Sequence, residues 1–319
     1  MARTKLWIDE ETRNKDLTNK VYIVTGANSG VGLETTRQLV KQGGHVVMAC
    51  RRVDAGKEVA KSFDSLKGSY EVMSCDLADL QTVRDFAEGF LNKYDRLDGL
   101  MNNAGLVTAG SEPKLTKDGF EMSIGVSYFG HFLLTEMLLD ILKKSAPSRI
   151  GIISSCVHAG SGKDRPDVHL EDLNYESRKF NNFAAYAEAK VANLLYAKEL
   201  ADRLEGTGVT TGSVHPGWAR SNFGRVNTGM KILSSVMAPF TRRMTDSNEE
   251  SAQTSLHVLL SDDAPKYSGA YFSQSSVLYN DKECRPGGWP MESPNPNVKD
   301  LDKAKKLVEI SYALVGLEK

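Results

Sequence analysis

From about residue 20 onward, short apolar and β-branched runs alternate with longer stretches whose apolar positions recur at helical spacing. The short runs are VYIVTG (21–26), HVVMAC (45–50), YEVMSCD (70–76), LDGLMNN (97–103), RIGIISS (149–155), VTTGSVH (209–215) and GAYFS (269–273). All have strand length, and several are apolar throughout rather than alternating, as expected of strands covered on both faces. Between them lie helix-like stretches such as 33–43, 119–144 and 183–205, the last two with charged final turns. This alternation predicts βαβ units feeding one parallel sheet. The expected fold is therefore α/β, a doubly wound parallel sheet of about seven strands with helices on both faces. A single domain over 1–319 is expected, with its core at about 20–275 and an extension at each end.

The less regular segments are 156–181, 218–248 and 274–299. The first two follow strands directly, and in such sheets the binding crevice lies beyond the carboxyl ends of the strands. They are expected to wall a substrate site. The stretch 302–319 has apolar residues at helical spacing and is expected to pack on the domain or to meet a partner.

Composition narrows the function. With 319 residues and 40% hydrophobic content the chain can bury a full core. Its 40 basic and 41 acidic residues leave a formal charge of −1, which gives no electrostatic reason to expect nucleic acid or anionic membrane as a partner. A small, neutral or mildly polar substrate fits better. The four cysteines, Cys50, Cys75, Cys156 and Cys284, show neither metal-ligand spacing nor a disulfide framework, so a reducing, cytoplasmic setting and no metal are expected. No apolar run approaches the roughly 18 residues of a spanning helix, and the chain reads as soluble.

The first strand leads into Gly26-Ala27-Asn28-Ser29-Gly30-Val31-Gly32 and then a helix. Glycine at 26 allows a tight turn, Gly30 lets backbone approach a pyrophosphate, and Gly32 permits close packing, while the helix N-terminus favours an anion. A strand before and a helix after make this a Rossmann-type dinucleotide cradle, with GxxxGxG spacing in place of GxGxxG. Tyr186 and Lys190 stand four residues apart on an expected helix, so their side chains share one face. A phenol has a pKa near 10, and bringing it to about 7 requires roughly 4 kcal/mol of differential stabilisation. Burial opposes that shift, so positive charge, from a neighbouring ammonium and an oxidised dinucleotide, has to outweigh it.

TGxxxGxG, Asn102-Asn103-Ala104-Gly105, Ser154-Ser155, Tyr186-xxx-Lys190 and Pro216-Gly217 occur in this order, and together they resemble the short-chain dehydrogenase/reductase family. The resemblance covers about 20–275 and is closest to the retinol dehydrogenase branch, through ACRR, GFEM, GHFLLT, SAPSRI and LVGLE, with the protochlorophyllide reductases as neighbours. It implies an oxidoreductase that moves a hydride between nicotinamide and a carbonyl or alcohol carbon, with Tyr186 as acid/base, Lys190 beside it and Ser155 holding the substrate oxygen. In place of a carboxylate after the second strand the chain has Arg51-Arg52, which favours the 2′-phosphate of NADP(H), and the family's CR motif points to Arg51. The bland alternative for both arginines is a solvated surface. Asp76 and Leu77 resemble the adenine-contacting pair, against a helix N-cap as the alternative for Asp76. Asn103, Ala104 and Gly105 border the ribose in the family, where Asn103 also ties the central strands together, a mixed role; Pro216 and Gly217 border the nicotinamide, with Ser221 in the carboxamide position.

One departure stands out. Where the family carries an asparagine that holds a proton-relay water beside the lysine, this chain has Ser127. A serine hydroxyl still donates and accepts but lacks the two separate ends of an amide. His158, His215 and Cys156 read as structural or substrate-lining. The family resemblance implies a homodimer through the helices carrying 119–144 and 183–205. A lipophilic, retinoid-like substrate is expected, with reduction of a carbon–carbon double bond and a nucleotide-binding regulator without turnover as alternatives.

Overall fold

The computed structural model describes residues 5–160, 164–219, 245–274, 284–285 and 288–318. Its sheet has the order β3-β2-β1-β4-β5-β6-β7-β9-β8. The strands are β1 (Val21–Thr25), β2 (His45–Cys50), β3 (Ser69–Ser74), β4 (Gly99–Asn102), β5 (Ser148–Ile153), β6 (Val209–His215), β7 (Tyr271–Ser273), β8 (Cys284–Arg285) and β9 (Gly288–Met291). The first seven are parallel and fall within the seven segments read from the sequence, give or take a residue at the ends. The additional pair, β8 and β9, is antiparallel and sits at the edge. Its residues lie in CRPGGWPM, whose prolines and glycines hide a strand signal.

The helices are α1 (Glu10–Asn14), α2 (Gly30–Lys41), α3 (Val53–Ala60), α4 (Leu80–Lys93), α5 (Met122–Ile124), α6 (Gly130–Lys144), α7 (Asn182–Arg203), α8 (Asn248–Leu260) and α9 (Leu301–Leu314). Alternation along each strand sends side chains into two cores. Ile23, Val47, Leu100 and Ile152 pack with α4, α6, α7 and α9 on one face. Tyr22, Val24, Met48 and Met101 pack with α2 and α8 on the other. The chain's direction of winding reverses between β1 and β4, which opens a crevice at their carboxyl ends.

Two features bear on function. The helical stretch Met122–Lys144 is long and apolar enough by length and composition to cross a membrane, with mean hydropathy 1.2, but 83% of that window is buried within the protein. Its apolar surface belongs to the core. Residues Gly125–Phe129 in this stretch form a π turn between α5 and α6. The C-terminal helix α9 packs onto α6 and α7: Ser311 Oγ lies 2.8 Å from Tyr128 Oη, Tyr312 donates to Glu136, and Arg203 Nη1 donates to Tyr312 Oη at 3.0 Å. Of the two expectations for that segment, packing on its own domain is the one seen.

Candidate active site

The β1–α2 turn is shaped by its glycines. Gly26 sits at φ +64°, in the left-handed region that favours glycine. A Cβ on Gly32 would stand 2.4 Å from Asn103 Nδ2 and 2.7 Å from the Gly26 carbonyl, so any side chain there displaces the turn. The turn is tied to the end of β4 through Thr25. Asn103 Nδ2 donates to the Thr25 carbonyl at 2.7 Å, and Thr25 Oγ1 accepts the backbone N–H groups of Asn103 and Ala104 at 2.8 and 2.9 Å. Asn103 thus joins β1 to β4, the structural part of the mixed role expected for it.

These elements open onto a cavity of about 920 Å³. Gly26, Asn28, Ser29, Gly30 and Val31 line one end, above the N-terminus of α2, whose N-cap Ser29 makes no side-chain capping bond. Arg51 and Arg52 line the same region beyond β2, both exposed. Asp76 and Leu77 follow β3 into the lining. The N-cap alternative for Asp76 fails: Asp79 caps α4, and the Asp76 carboxylate instead accepts from the Ala78 N–H at 3.1 Å. Arg37 pairs with Glu34 at 3.1 Å and lies over the Phe63 ring, away from this lining.

Ala104 and Gly105 continue the wall toward Ser155, Tyr186 and Lys190. The structure separates the two serines after β5. Ser154 is buried and donates to the carbonyl of Lys190 at 3.0 Å, whereas Ser155 faces the cavity and its side chain is hydrogen-bonded to Tyr186. Asn181 caps α7 by accepting from the N–H groups of Phe183 and Ala184, and the helix then presents Tyr186 and Lys190 one turn apart. The Lys190 ammonium lies 5.3 Å from the Tyr186 ring centroid and donates to the Ile153 carbonyl at 3.0 Å.

Burial governs the protonation of both groups. It brings Lys190 down to about 7 and pushes the Tyr186 phenol above its ordinary value, although the hydrogen bond from Ser155 works the other way. The ammonium therefore does not outweigh burial by itself; the balance expected from sequence counts the charge of an oxidised dinucleotide as well. The ammonium's own charge is disfavoured by the same dry surroundings.

Ser127 lies in the π turn, fully buried, and its Oγ has no hydrogen-bond partner. A Cβ on Gly105 would sit 3.4 Å from Lys190 Nζ and 3.5 Å from Ser127 Oγ, so these two polar atoms flank one point beside Gly105. Pro216 and Gly217 follow β6 into the cavity wall. Gly217 has φ +87°, and a Cβ there would meet Asp246 Oδ2 at 2.3 Å; the same carboxylate accepts from the Trp218 N–H at 2.9 Å. Ser221 lies outside the described residues.

Several contributors were not apparent in the sequence. Thr25 carries no motif of its own. His158, treated as structural or lining, donates through Nδ1 to the Ser155 carbonyl at 2.5 Å; its Nε2 therefore accepts from Ser293 Oγ at 2.7 Å. Asn295 donates to the His158 carbonyl at 2.6 Å. A segment beyond the expected core thus braces the turn after Ser155, and no local pattern marks so distant a contact. His215 Nδ1 accepts from the Cys156 N–H at 3.3 Å and lines the cavity. A second groove, of about 1240 Å³ between α7 and the segment around Tyr267, holds none of the predicted site residues.

The arrangement fits a dinucleotide. It offers a glycine cradle over a helix N-terminus, guanidinium groups at one end, and a buried lysine and unpartnered serine hydroxyl at the other. Comparisons with known proteins agree with this geometry. A sequence model of the short chain dehydrogenase family matches residues 20–163. Human retinol dehydrogenase 13 is 38% identical over 304 residues, covering 94% of this chain and 85% of that protein. Mouse retinol dehydrogenase 11 is 42% identical over 270 residues, covering 84% and 82%. Among solved structures, an uncharacterised protein of Mycobacterium paratuberculosis superposes with TM-score 0.73 at 28% identity, covering 99% of each chain. A structure from Beutenbergia cavernae assigned as an NAD(P)-dependent gluconate 5-dehydrogenase, with NADP bound at low occupancy, has TM-score 0.63 at 23% identity, covering 81% and 96%, and shares the fold.

Proposed function

This chain belongs to the short-chain dehydrogenase/reductase family, in its retinol dehydrogenase-like branch, and from that premise we propose that it is an NADP(H)-dependent oxidoreductase acting on the carbonyl or alcohol carbon of a lipophilic, retinoid-like substrate. The observation that carries the reading is the convergence of Ser155, Tyr186 and Lys190 on one cavity that continues into the glycine cradle. Bound NADP(H) supplies the hydride donor or acceptor and, when oxidised, a positive charge.

The chain's own residues do the rest. Gly26, Gly30 and the first N–H groups of α2 hold the pyrophosphate, while Arg51 holds the 2′-phosphate with a planar fork suited to it. Asp76, Leu77, Asn103 and Ala104 border the adenosine, and Pro216 and Gly217 the nicotinamide. Ser155 donates to the substrate oxygen, where charge builds up during the reaction. Tyr186 exchanges a proton with that oxygen, and Lys190, with a pKa of about 7, is poised to gain or lose one near neutrality. Ser127 Oγ, buried and unpartnered beside Gly105, is an acceptor next along that path.

The substrate class is supported by two aromatic side chains of the cavity. Phe183 and Trp218 are 59% and 55% exposed in its lining, an unfavourable state for large apolar groups that a lipophilic substrate relieves. Free thiols at Cys50, Cys75 and Cys156 support a reducing, cytoplasmic setting for the same proposal. The expected homodimer through α6 and α7 requires a face that α9 does not cover.

The test is turnover of NADPH with all-trans-retinal and with a short aldehyde such as propanal. Retinal is expected to be the better substrate, and Phe183→Ala with Trp218→Ala is expected to raise KM for retinal while sparing propanal. Oxidation of neither aldehyde's cofactor above background overturns the reading.

A further inference from the structure

His131 stands on α6 one turn after Ser127 and is 2% exposed. It entered the sequence reading only as a letter in GHFLLT. In the structure its two ring nitrogens join three elements. Nε2 lies 2.8 Å from Thr25 Oγ1 at the end of β1, and Nδ1 lies 3.1 Å from the carbonyl oxygen of Ser127 in the π turn.

The partners fix the tautomer. A carbonyl oxygen only accepts, so the hydrogen between Nδ1 and Ser127 belongs to Nδ1. Thr25 Oγ1 already accepts two N–H groups, from Asn103 and Ala104, which occupies both of its lone pairs. Its own hydrogen must be donated, and Nε2 at 2.8 Å is a nearer acceptor than the Met101 carbonyl at 3.4 Å. The ring is thus a neutral Nδ1–H imidazole, and burial, which lowers its pKa to about 3, keeps it neutral across the working range.

This chain of bonds runs from the cofactor cradle to the catalytic helix turn. Asn103 and Ala104 stand on one side of it, and Ser127 on the other. A π turn interrupts the regular helical ladder, and here a side chain outside it adds a donor to one of its carbonyls. The Ser127 carbonyl has His131 as that donor, which leaves the hydroxyl as the unpartnered polar group of Ser127 near Lys190.

We propose that His131 is a positioning residue for the reaction: as a single neutral tautomer it ties the ends of β1 and β4 to the π turn, and thereby sets Ser127 relative to Gly105 and Lys190. The inference deepens the proposed function and rests on it for its catalytic consequence. Its two halves are separable by side-chain length. An asparagine at 131 reaches the Nδ1 position and can still donate to the Ser127 carbonyl, but it gives up Thr25. A glutamine reaches the Nε2 position and can still accept from Thr25, but it gives up Ser127.

The experiment compares wild type, His131→Asn and His131→Gln by NADPH titration of intrinsic fluorescence, by kcat with retinal, and by imidazole ¹⁵N shifts of the wild type from about pH 5 to about pH 8. The shifts are expected to show one neutral Nδ1–H ring. His131→Gln is expected to keep cofactor affinity and lose kcat by about tenfold to a hundredfold, the scale of a small misplacement at the reacting centre. His131→Asn is expected to keep kcat within about threefold and to weaken cofactor binding, the reverse split. A protonated or Nε2–H ring overturns the proposal, as do variants that lose affinity and kcat in the same proportion or lose neither. If wild type binds NADPH without turnover, the oxidoreductase reading fails, while the affinity difference and the ring tautomer still decide the role of His131.

Discussion

Lys190 Nζ donates to the carbonyl oxygen of Ile153 at 3.0 Å, tying the buried ammonium on α7 to the last residue of β5, two positions before Ser155. Asn193 Nδ2 donates to the same oxygen at 2.8 Å. The carbonyl therefore keeps a partner if the lysine is removed, and the energetic consequence of Lys190 is dominated by its charge.

That charge gives a pH-dependent prediction. Burial lowers Lys190 from its ordinary 10.5 to about 7 in the folded chain. Between these values the unfolded chain binds more protons than the folded one, so the lysine's contribution to stability rises with pH through this window and is lost as pH falls toward 7. Lys190→Met removes the effect. The variant is expected to be more stable than wild type at pH 6, with the advantage shrinking toward pH 10, as measured by urea unfolding. An advantage that does not change with pH contradicts the burial argument.

His158 carries a consequence of the same sign at lower pH. Burial lowers it from 6.5 to about 4, so below 6.5 the unfolded chain takes up a proton that the folded chain refuses. Stability is lost as pH falls from about 6.5 to about 4, by on the order of 3 kcal/mol for this group. His158→Gln is expected to flatten that part of the stability curve. It is also expected to lower kcat, because the Ser155 carbonyl loses its donor. A stability curve of unchanged slope speaks against a buried neutral ring.

In the proposed function Arg51 holds the 2′-phosphate and so selects NADP(H) over NAD(H). Removing one charge-assisted contact to a phosphate costs about 1.5–3 kcal/mol, or roughly tenfold to a hundredfold in kcat/KM. Arg51→Ala is expected to lose that factor with NADPH and to leave NADH unchanged. Equal losses with both cofactors, or a larger NADPH-specific loss in Arg52→Ala, assign the 2′-phosphate elsewhere.

The seven parallel strands and the candidate site were legible in the sequence for different reasons. The seven parallel strands announce themselves because burial on both faces makes runs such as HVVMAC apolar throughout. Gly26 and Gly32 were legible because each removes a side chain where backbone or polar atoms crowd together. Strands β8 and β9 were hidden by prolines and glycines. The bracing of Ser155 by His158, Ser293 and Asn295 was hidden because it joins residues more than a hundred positions apart. The protonation balance at Tyr186 was only partly legible for a similar reason: one-turn spacing announces a neighbouring charge, but the depth of burial depends on everything packed around it.

The central claim is that Tyr186 exchanges the proton while Ser155 and Lys190 support it. Its most direct test is a single-turnover measurement of NADPH oxidation by retinal in wild type and Tyr186→Phe, with cofactor affinity measured in parallel. The variant keeps the ring, and is expected to bind NADPH as wild type does while losing at least about a hundredfold in rate, the scale of general acid catalysis. Hydride transfer at the wild-type rate in Tyr186→Phe contradicts the account.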